Sequence, residues 1–224
     1  MAPPTALALT LYAASASAAA PCYGPFNHTY KLETPCFKVL ASSGDLSVRE
    51  FVDGKHVTLV EKTISSSVTV FQEAFTIGTF DVLAYFTGEL NAKNDSLLSS
   101  RTVPLVVRLP ASQHDDWAVH MALAPSLWPA ARTRIPPIPN NNISLVPITS
   151  APIAVQYKLF ELCPQPEDLA ALCKTLDANL AALGGWTVDA SSPVTYSYAS
   201  YNGYTYYDGP WDAECWAGVI PATH

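Results

Sequence analysis

The sequence predicts an α+β protein: an antiparallel sheet curled into a distorted β-barrel, made of two pseudo-symmetric βαββ halves with two helices outside. Three observations carry this. The order strands, helix, two strands occurs twice, with the two helical stripes about a hundred residues apart. Each helical stretch repeats its apolar residues at helical spacing, while the stretches around it are β-branched and punctuated by turn residues. No linker or low-complexity run divides the 224 residues, of which 49% are hydrophobic, so one core suffices.

In chain order, residues 1–20 stand apart from this pattern. Ala6–Ala20 is an uncharged run of small and apolar residues, and Ala16-Ser17-Ala18 has the small-x-small spacing of a signal-peptidase site. Residues 1–20 are therefore expected to be a secretory signal peptide, leaving 21–224 as the domain. That run is too short to span a bilayer, and no later stretch is long enough, so no transmembrane segment is expected. Five cysteines and sequons at Asn27, Asn94 and Asn142 fit an oxidising, secretory environment with surface glycans. Cys22 and Cys36 flank a short segment near the mature N-terminus, and a bridge between them would pin it. Cys163, Cys173 and Cys215 are left without assigned pairing.

Strands are expected at Phe37–Leu40, at Leu46–Val52 after the turn Ser43-Gly44-Asp45, and at Val57–Lys62 after Asp53-Gly54. A helix follows over Val68–Leu90. At about 100° per residue, Phe71, Phe75, Gly78, Val82 and Tyr85 fall on one stripe, which faces a core. Its far side carries Ile77, Phe80, Leu83 and Ala84 beside Thr76 and Thr87, where an exposed helix would be charged. A second apolar face calls for a cover: another segment, a protein partner, or an apolar ligand.

Thr102–Leu109 and Trp117–Leu123 read as the next strands, the second with Trp117, Val119, Met121 and Leu123 inward and His120 toward solvent. The proline-rich stretch 125–152 reads as a long rigid loop that leads into Leu145–Val146 and then strand Ile153–Phe160. The second helix opens at Pro164-Gln165-Pro166-Glu167-Asp168, carries Leu169, Leu172, Cys173, Leu176, Leu180 and Leu183 on one stripe, and stops at Gly184-Gly185. Strands Val194–Ala199 and Glu214–Val219 close the chain around the aromatic loop Tyr201–Trp211.

A set of co-linear segments resembles the SOUL/heme-binding-protein family, in particular its secreted, cysteine-bearing plant and algal members. The segments are Thr34–Val39, Leu46–Phe51, Phe80–Gly88, Thr102-Val103-Pro104, Trp117 with its strand, Val155–Phe160, Tyr201-Asn202 and Glu214-Cys215-Trp216. The resemblance implies a distorted barrel of two βαββ halves and, as function, tetrapyrrole binding in a groove between the first helix and the loop before the last strand. Thr76, Phe80, Leu83 and Ala84 would line one wall, with Tyr201, Tyr204 and Tyr206 stacking from the other. The expected function is thus a non-catalytic, secreted binder or carrier of heme, another tetrapyrrole or a similar flat apolar ligand, with no obligatory cofactor. A protein-interaction module using the same helix face is the first alternative, and a hydrolase or metal-releasing enzyme the second.

Departures from the family shape that expectation. Where members carry basic residues on the helix, this chain has Thr76 and Ala84, so a charge-assisted anchor for propionates is missing. The position after Arg49, where some members are described with a histidine, is Glu50, and His56 is only a weak candidate metal ligand. Binding near the micromolar level, about −8 kcal/mol, is expected on that basis. His114-Asp115-Asp116 is read as a solvated turn rather than a metal cluster. No phosphate loop, Gly-x-Ser-x-Gly, Cys-x-x-Cys or His-Glu-x-x-His is present, which argues against an enzyme. The net charge of −7, with 12 Lys and Arg, argues against nucleic acid as partner.

Overall fold

A computed structural model describes residues 22–23, 33–51, 57–93, 105–108, 115–122, 137, 141–148, 152–162, 164–192, 194, 196–201 and 210–222. The expectations placed on residues 1–20, Asn27, Asn94, His56, His114, Cys163, Tyr204 and Tyr206 lie outside the described residues.

Twelve strands and two helices are described. A short ribbon pairs β1 (Cys22–Tyr23) with β2 (Glu33–Thr34). The main sheet contains β3 (Phe37–Ser43), β4 (Leu46–Phe51), β5 (Val57–Ile64), β6 (Leu105–Arg108), β7 (Trp117–Ala122), β8 (Ile143–Ile148), β9 (Ile153–Phe160), β11 (Ser197–Ser200) and β12 (Trp211–Pro221), with β10 (Trp186–Val188) paired to β12. The helices are α1 (Phe71–Thr87) and α2 (Pro166–Leu183).

The order β3-β4-β9-β12-β11-β6-β7-β5-β8, antiparallel throughout, contains the two halves expected from the sequence. In the first, β5-α1-β6-β7 lies in the sheet as β6-β7-β5. In the second, β9-α2-β11-β12 lies as β11-β12-β9. The halves meet where β6 pairs with β11, from Ser197 opposite Arg108 to Ser200 opposite Leu105. The described strands form an open path ending at β3 and β8, so they do not close the barrel that the repeat suggests.

Both helices lie on one face of the sheet. Cross-strand partners in register point to the same face, which puts Trp117, Val119, Val107, Tyr198 and Cys215 together. On that face α1 rests through Phe71, whose ring meets those of Trp117 and Tyr198, and through Gly78 against Val119. There also α2 is joined to β12 by the Cys173–Cys215 disulfide and to β9 by Asn179, whose Nδ2 donates to Gln156 Oε1 at 2.8 Å. The opposite face is buried as well: Val106, Ala118, Val155, Ala199 and Trp216 are all enclosed, although neither helix lies there.

The two helices differ in how their ends are fixed. At the start of α2, Asp168 Oδ2 accepts from the Gln165 backbone N–H at 3.0 Å within a capping box, and Pro166 occupies the first turn. Leu169, Leu172, Cys173, Leu176 and Leu180 are buried as the stripe requires, with Leu183 half-buried against the core. By contrast, α1 has Val70 at its N-cap, which offers no side-chain acceptor, and is shorter at both ends than Val68–Leu90. It stops at Gly88, whose φ of 102° is left-handed.

Strand β7 departs from the expected pattern. His120 is 6% exposed rather than solvent-facing, and Ala118 and Ala122 are buried beside it. Alternation distinguishes the two faces of a strand but identifies the wet one only when a single face is covered.

Candidate functional site

The outer face of α1 is the first candidate. Phe80 is 68% exposed and Ile77 37%, with Thr76, Leu83, Ala84 and Thr87 half-buried around them. An apolar stripe in the middle of a helix arises because the inner stripe, with Ala74, Gly78, Val82 and Tyr85 buried, already satisfies the core. The charged residues on this helix are acidic, Glu73 and Asp81, and Asp81 is held by Lys62 at 2.6 Å. No cation of α1 itself is available to a propionate.

The structure separates Tyr201 from this stripe. Tyr201 is 6% exposed and donates its hydroxyl to Glu214 Oε2 at 2.6 Å. Glu214 pairs with Ala199, one residue from Tyr198, so its side chain leaves the sheet on the face opposite α1. Of the residues expected to form the groove, Thr76, Phe80, Leu83 and Ala84 are therefore brought together, while Tyr201 belongs elsewhere.

That elsewhere is a buried polar cluster, the second candidate. Glu214, at 0% exposure, accepts on Oε2 from Tyr201 and from Trp216 Nε1 at 2.7 Å. Its Oε1 faces the Arg49 guanidinium at 2.9 Å, a charge contact outside good hydrogen-bond alignment. Arg49 donates Nε–H to Ser47 Oγ at 2.8 Å and lies over the Phe37 ring, 4.4 Å from its centroid. Nearby, Tyr157 donates its hydroxyl to Asp212 Oδ1 at 2.7 Å. Burial, then the Glu214 charge, holds the Tyr201 hydroxyl well above its ordinary pKa, with Arg49 acting in the opposite sense. Tyr157 is raised too, by burial and then by its bond to Asp212. Two hydroxyls held protonated and a carboxylate met by two hydrogen-bond donors and one guanidinium charge make a buried, positioned polar cluster.

Strand register places a second polar site symmetrically across the same face. One row runs Tyr157, Glu214, Ala199, Val106, His120, Glu61, so His120 and Glu61 occupy in the first half the places of Glu214 and Tyr157 in the second. His120 Nδ1 is 3.4 Å from Glu61 Oε2, long for a hydrogen bond. Burial first, and the Arg108 charge second, lower the His120 pKa to about 3, so the imidazole is neutral at physiological pH. Sequence reasoning missed both sites, although Arg49 and Glu214 stood in segments it had singled out. The available signal was a charge in the middle of an otherwise apolar strand, which is retained only when paired.

Other expected sites are placed individually. Asn142 is exposed, as its sequon requires, and adopts a left-handed φ of 55°. Cys36 is disulfide-bonded, and β1–β2 pairing sets the Cys22 backbone opposite Thr34, two residues from it. Asp115 and Asp116 are exposed, and Asp116 Oδ1 accepts from the Ser66 backbone at 2.8 Å. Among the described residues no group of three or more His, Cys, Asp and Glu is placed to hold a metal ion, and no helix is long and apolar enough to cross a membrane.

No protein-family model matches the chain, and no curated protein matches it. Among solved structures it is similar to one described as a hydrolase from Listeria innocua, at 9% identity and a TM-score of 0.42, covering 74% of this chain and 87% of that one. It is also similar to one described as a bacterial transcription regulation protein from Staphylococcus aureus MU50, at 14% identity and a TM-score of 0.36, covering 79% of this chain and 99% of that one. With values this low, neither likeness assigns this chain an activity, and neither bears on its resemblance to the SOUL/heme-binding proteins.

Proposed function

We propose that this chain is a secreted, non-catalytic binder or carrier of heme, another tetrapyrrole or a similar flat apolar ligand, held against the outer face of α1. One observation carries the proposal: Phe80 stands 68% exposed at the centre of an apolar stripe instead of being sealed by the chain's own fold. Removing such a ring from water contributes roughly 1.5–3 kcal/mol, which a flat ligand lying on the helix would recover. Tyr204 and Tyr206 are the remaining candidates for the opposite wall, since the Tyr201 hydroxyl is committed to Glu214. Burial of β12 on both faces supports a sheet curled toward the distorted barrel of the family. The Cys173–Cys215 disulfide supports an oxidising compartment, and hence export directed by residues 1–20.

The charges on α1 predict ligand preference. With Glu73 and Asp81 on the helix and Lys62 spent on Asp81, an esterified or neutral porphyrin should bind at least as tightly as the diacid. Titration with hemin, protoporphyrin and its dimethyl ester, followed by the Soret band, tests this. Saturable binding lost in Phe80→Asp is expected, with the urea midpoint unchanged because the site is exposed. Absence of binding by every pigment refutes the proposal. The same patch favours one second reading, a protein partner docking on Phe80 and Ile77. A concentration-dependent dimer in sedimentation, broken by Phe80→Asp, would establish that instead.

A further inference from the structure

We infer that the open cleft between β3, β4 and β9 is a second ligand site, for a neutral molecule of one or two rings that carries a carbonyl acceptor. The cleft holds about 360 Å³ and lies on the sheet face opposite α1. That volume is at the small end of ligand pockets, ~300–1,000 Å³, and suits a small ring system rather than a macrocycle. Phe37, Val39 and the Tyr157 ring give it apolar walls, and Arg49 lines it together with Ser47.

Arg49 sets the polar requirement. A guanidinium has five N–H donors. Its contacts here engage Ser47, Glu214 and the Tyr201 oxygen, so a side chain that lines the cleft keeps donors beyond those it spends on the protein. The charges set the rest. Glu214 already balances Arg49, Asp45 stands at the cleft, and Asp212 lies behind Tyr157. A carboxylate ligand would therefore enter surroundings of excess negative charge, and an ammonium would meet the guanidinium. An uncharged acceptor at the end of a flat apolar body satisfies Arg49 without either penalty.

Prodan, a neutral dimethylamino-naphthyl ketone whose emission shifts to the blue on leaving water, is a suitable probe for the full chain. Saturable blue-shifted binding is expected. Val39→Arg should weaken it at least ~10-fold, because residue 39 is on the cleft wall. Val39 is 54% exposed, so the variant should keep the parent urea midpoint. Arg49→Lys, which keeps the charge beside Glu214 but loses the planar donor set, should weaken it as well. Phe80→Asp should leave it unchanged, and naphthoate should compete at least ~10-fold less well than a neutral naphthyl ketone. The assignment is overturned if prodan does not saturate, if Val39→Arg binds as the parent does, if Phe80→Asp abolishes binding, or if naphthoate competes better. Since the pigment titration reads Phe80 and this one reads Val39, either site can fail without the other.

Discussion

His120 looks from sequence like a surface residue on an alternating strand, and in the structure it is a neutral imidazole enclosed on the sheet face opposite the helices. Its pKa near 3 in the folded chain lies below the ordinary value of 6.5, so between those values the unfolded chain holds the extra proton. Folding stability contributed by the neutral ring is complete above pH 6.5 and is lost as pH falls toward 3, with a slope of up to about 1.4 kcal/mol per pH unit. Urea midpoints measured across that interval should therefore decline on acidification, and His120→Gln should flatten the decline. Equal slopes in both proteins would refute the assignment. Arg49 and Glu214 are tolerated inside for a different reason, pairing: each charge meets the other, and the carboxylate is also met by Tyr201 and Trp216.

At the level of elements, α1 packs on the sheet through Phe71 and, at Gly78, through a backbone approach that leaves no room for a side chain. A Cβ placed on Gly78 would stand 2.3 Å from Val119 Cγ2, 2.6 Å from Val119 Cβ and 2.9 Å from Ile64 Cδ1. Alanine raises intrinsic helix stability over glycine by about 1 kcal/mol. The clash is with the root of a β-branched side chain that cannot swing away, so the whole helix would have to lift. Overpacking of this kind costs about 1–3 kcal/mol, and Gly78→Ala should lower stability despite its better propensity. A lowered urea midpoint, partly restored by Val119→Ala, is the expected result, and a raised midpoint would contradict the packing. The helix stripe was legible in sequence because one period fixes which residues share a face, but Gly78 read only as a member of that stripe. The reason it must be glycine lies in Val119, on a strand distant in the chain, and in Ile64, at the end of the strand before the helix, and helical period reports neither.

Taken whole, the molecule is two related halves joined along the β6–β11 seam, and the Cys173–Cys215 bridge ties α2 to a strand near its centre. The bridge spans 42 positions, and the chain-entropy estimate for a loop of that size is about 4 kcal/mol. Cys173→Ser should therefore lower stability by a few kcal/mol, read as a fall in Tm, and the gap between parent and variant should close when both are measured in reductant. A Tm unaffected by the substitution would mean that packing of Leu169, Leu172, Leu176 and Leu180 alone holds α2 in place.

The amino-acid order alone determined the repeat of strands and helices, the inner stripe of each helix, the turn at Gly44 and the unusual outer stripe around Phe80, because each depends on the chirality and period of neighbouring residues. Tertiary structure alone decided that Cys173 meets Cys215, that His120 is dry, that Tyr201 turns from α1 toward Glu214, and that the described strands stop short of a closed barrel. Those outcomes depend on which distant strands lie in register and which faces are doubly covered, and local periodicity carries no information about either.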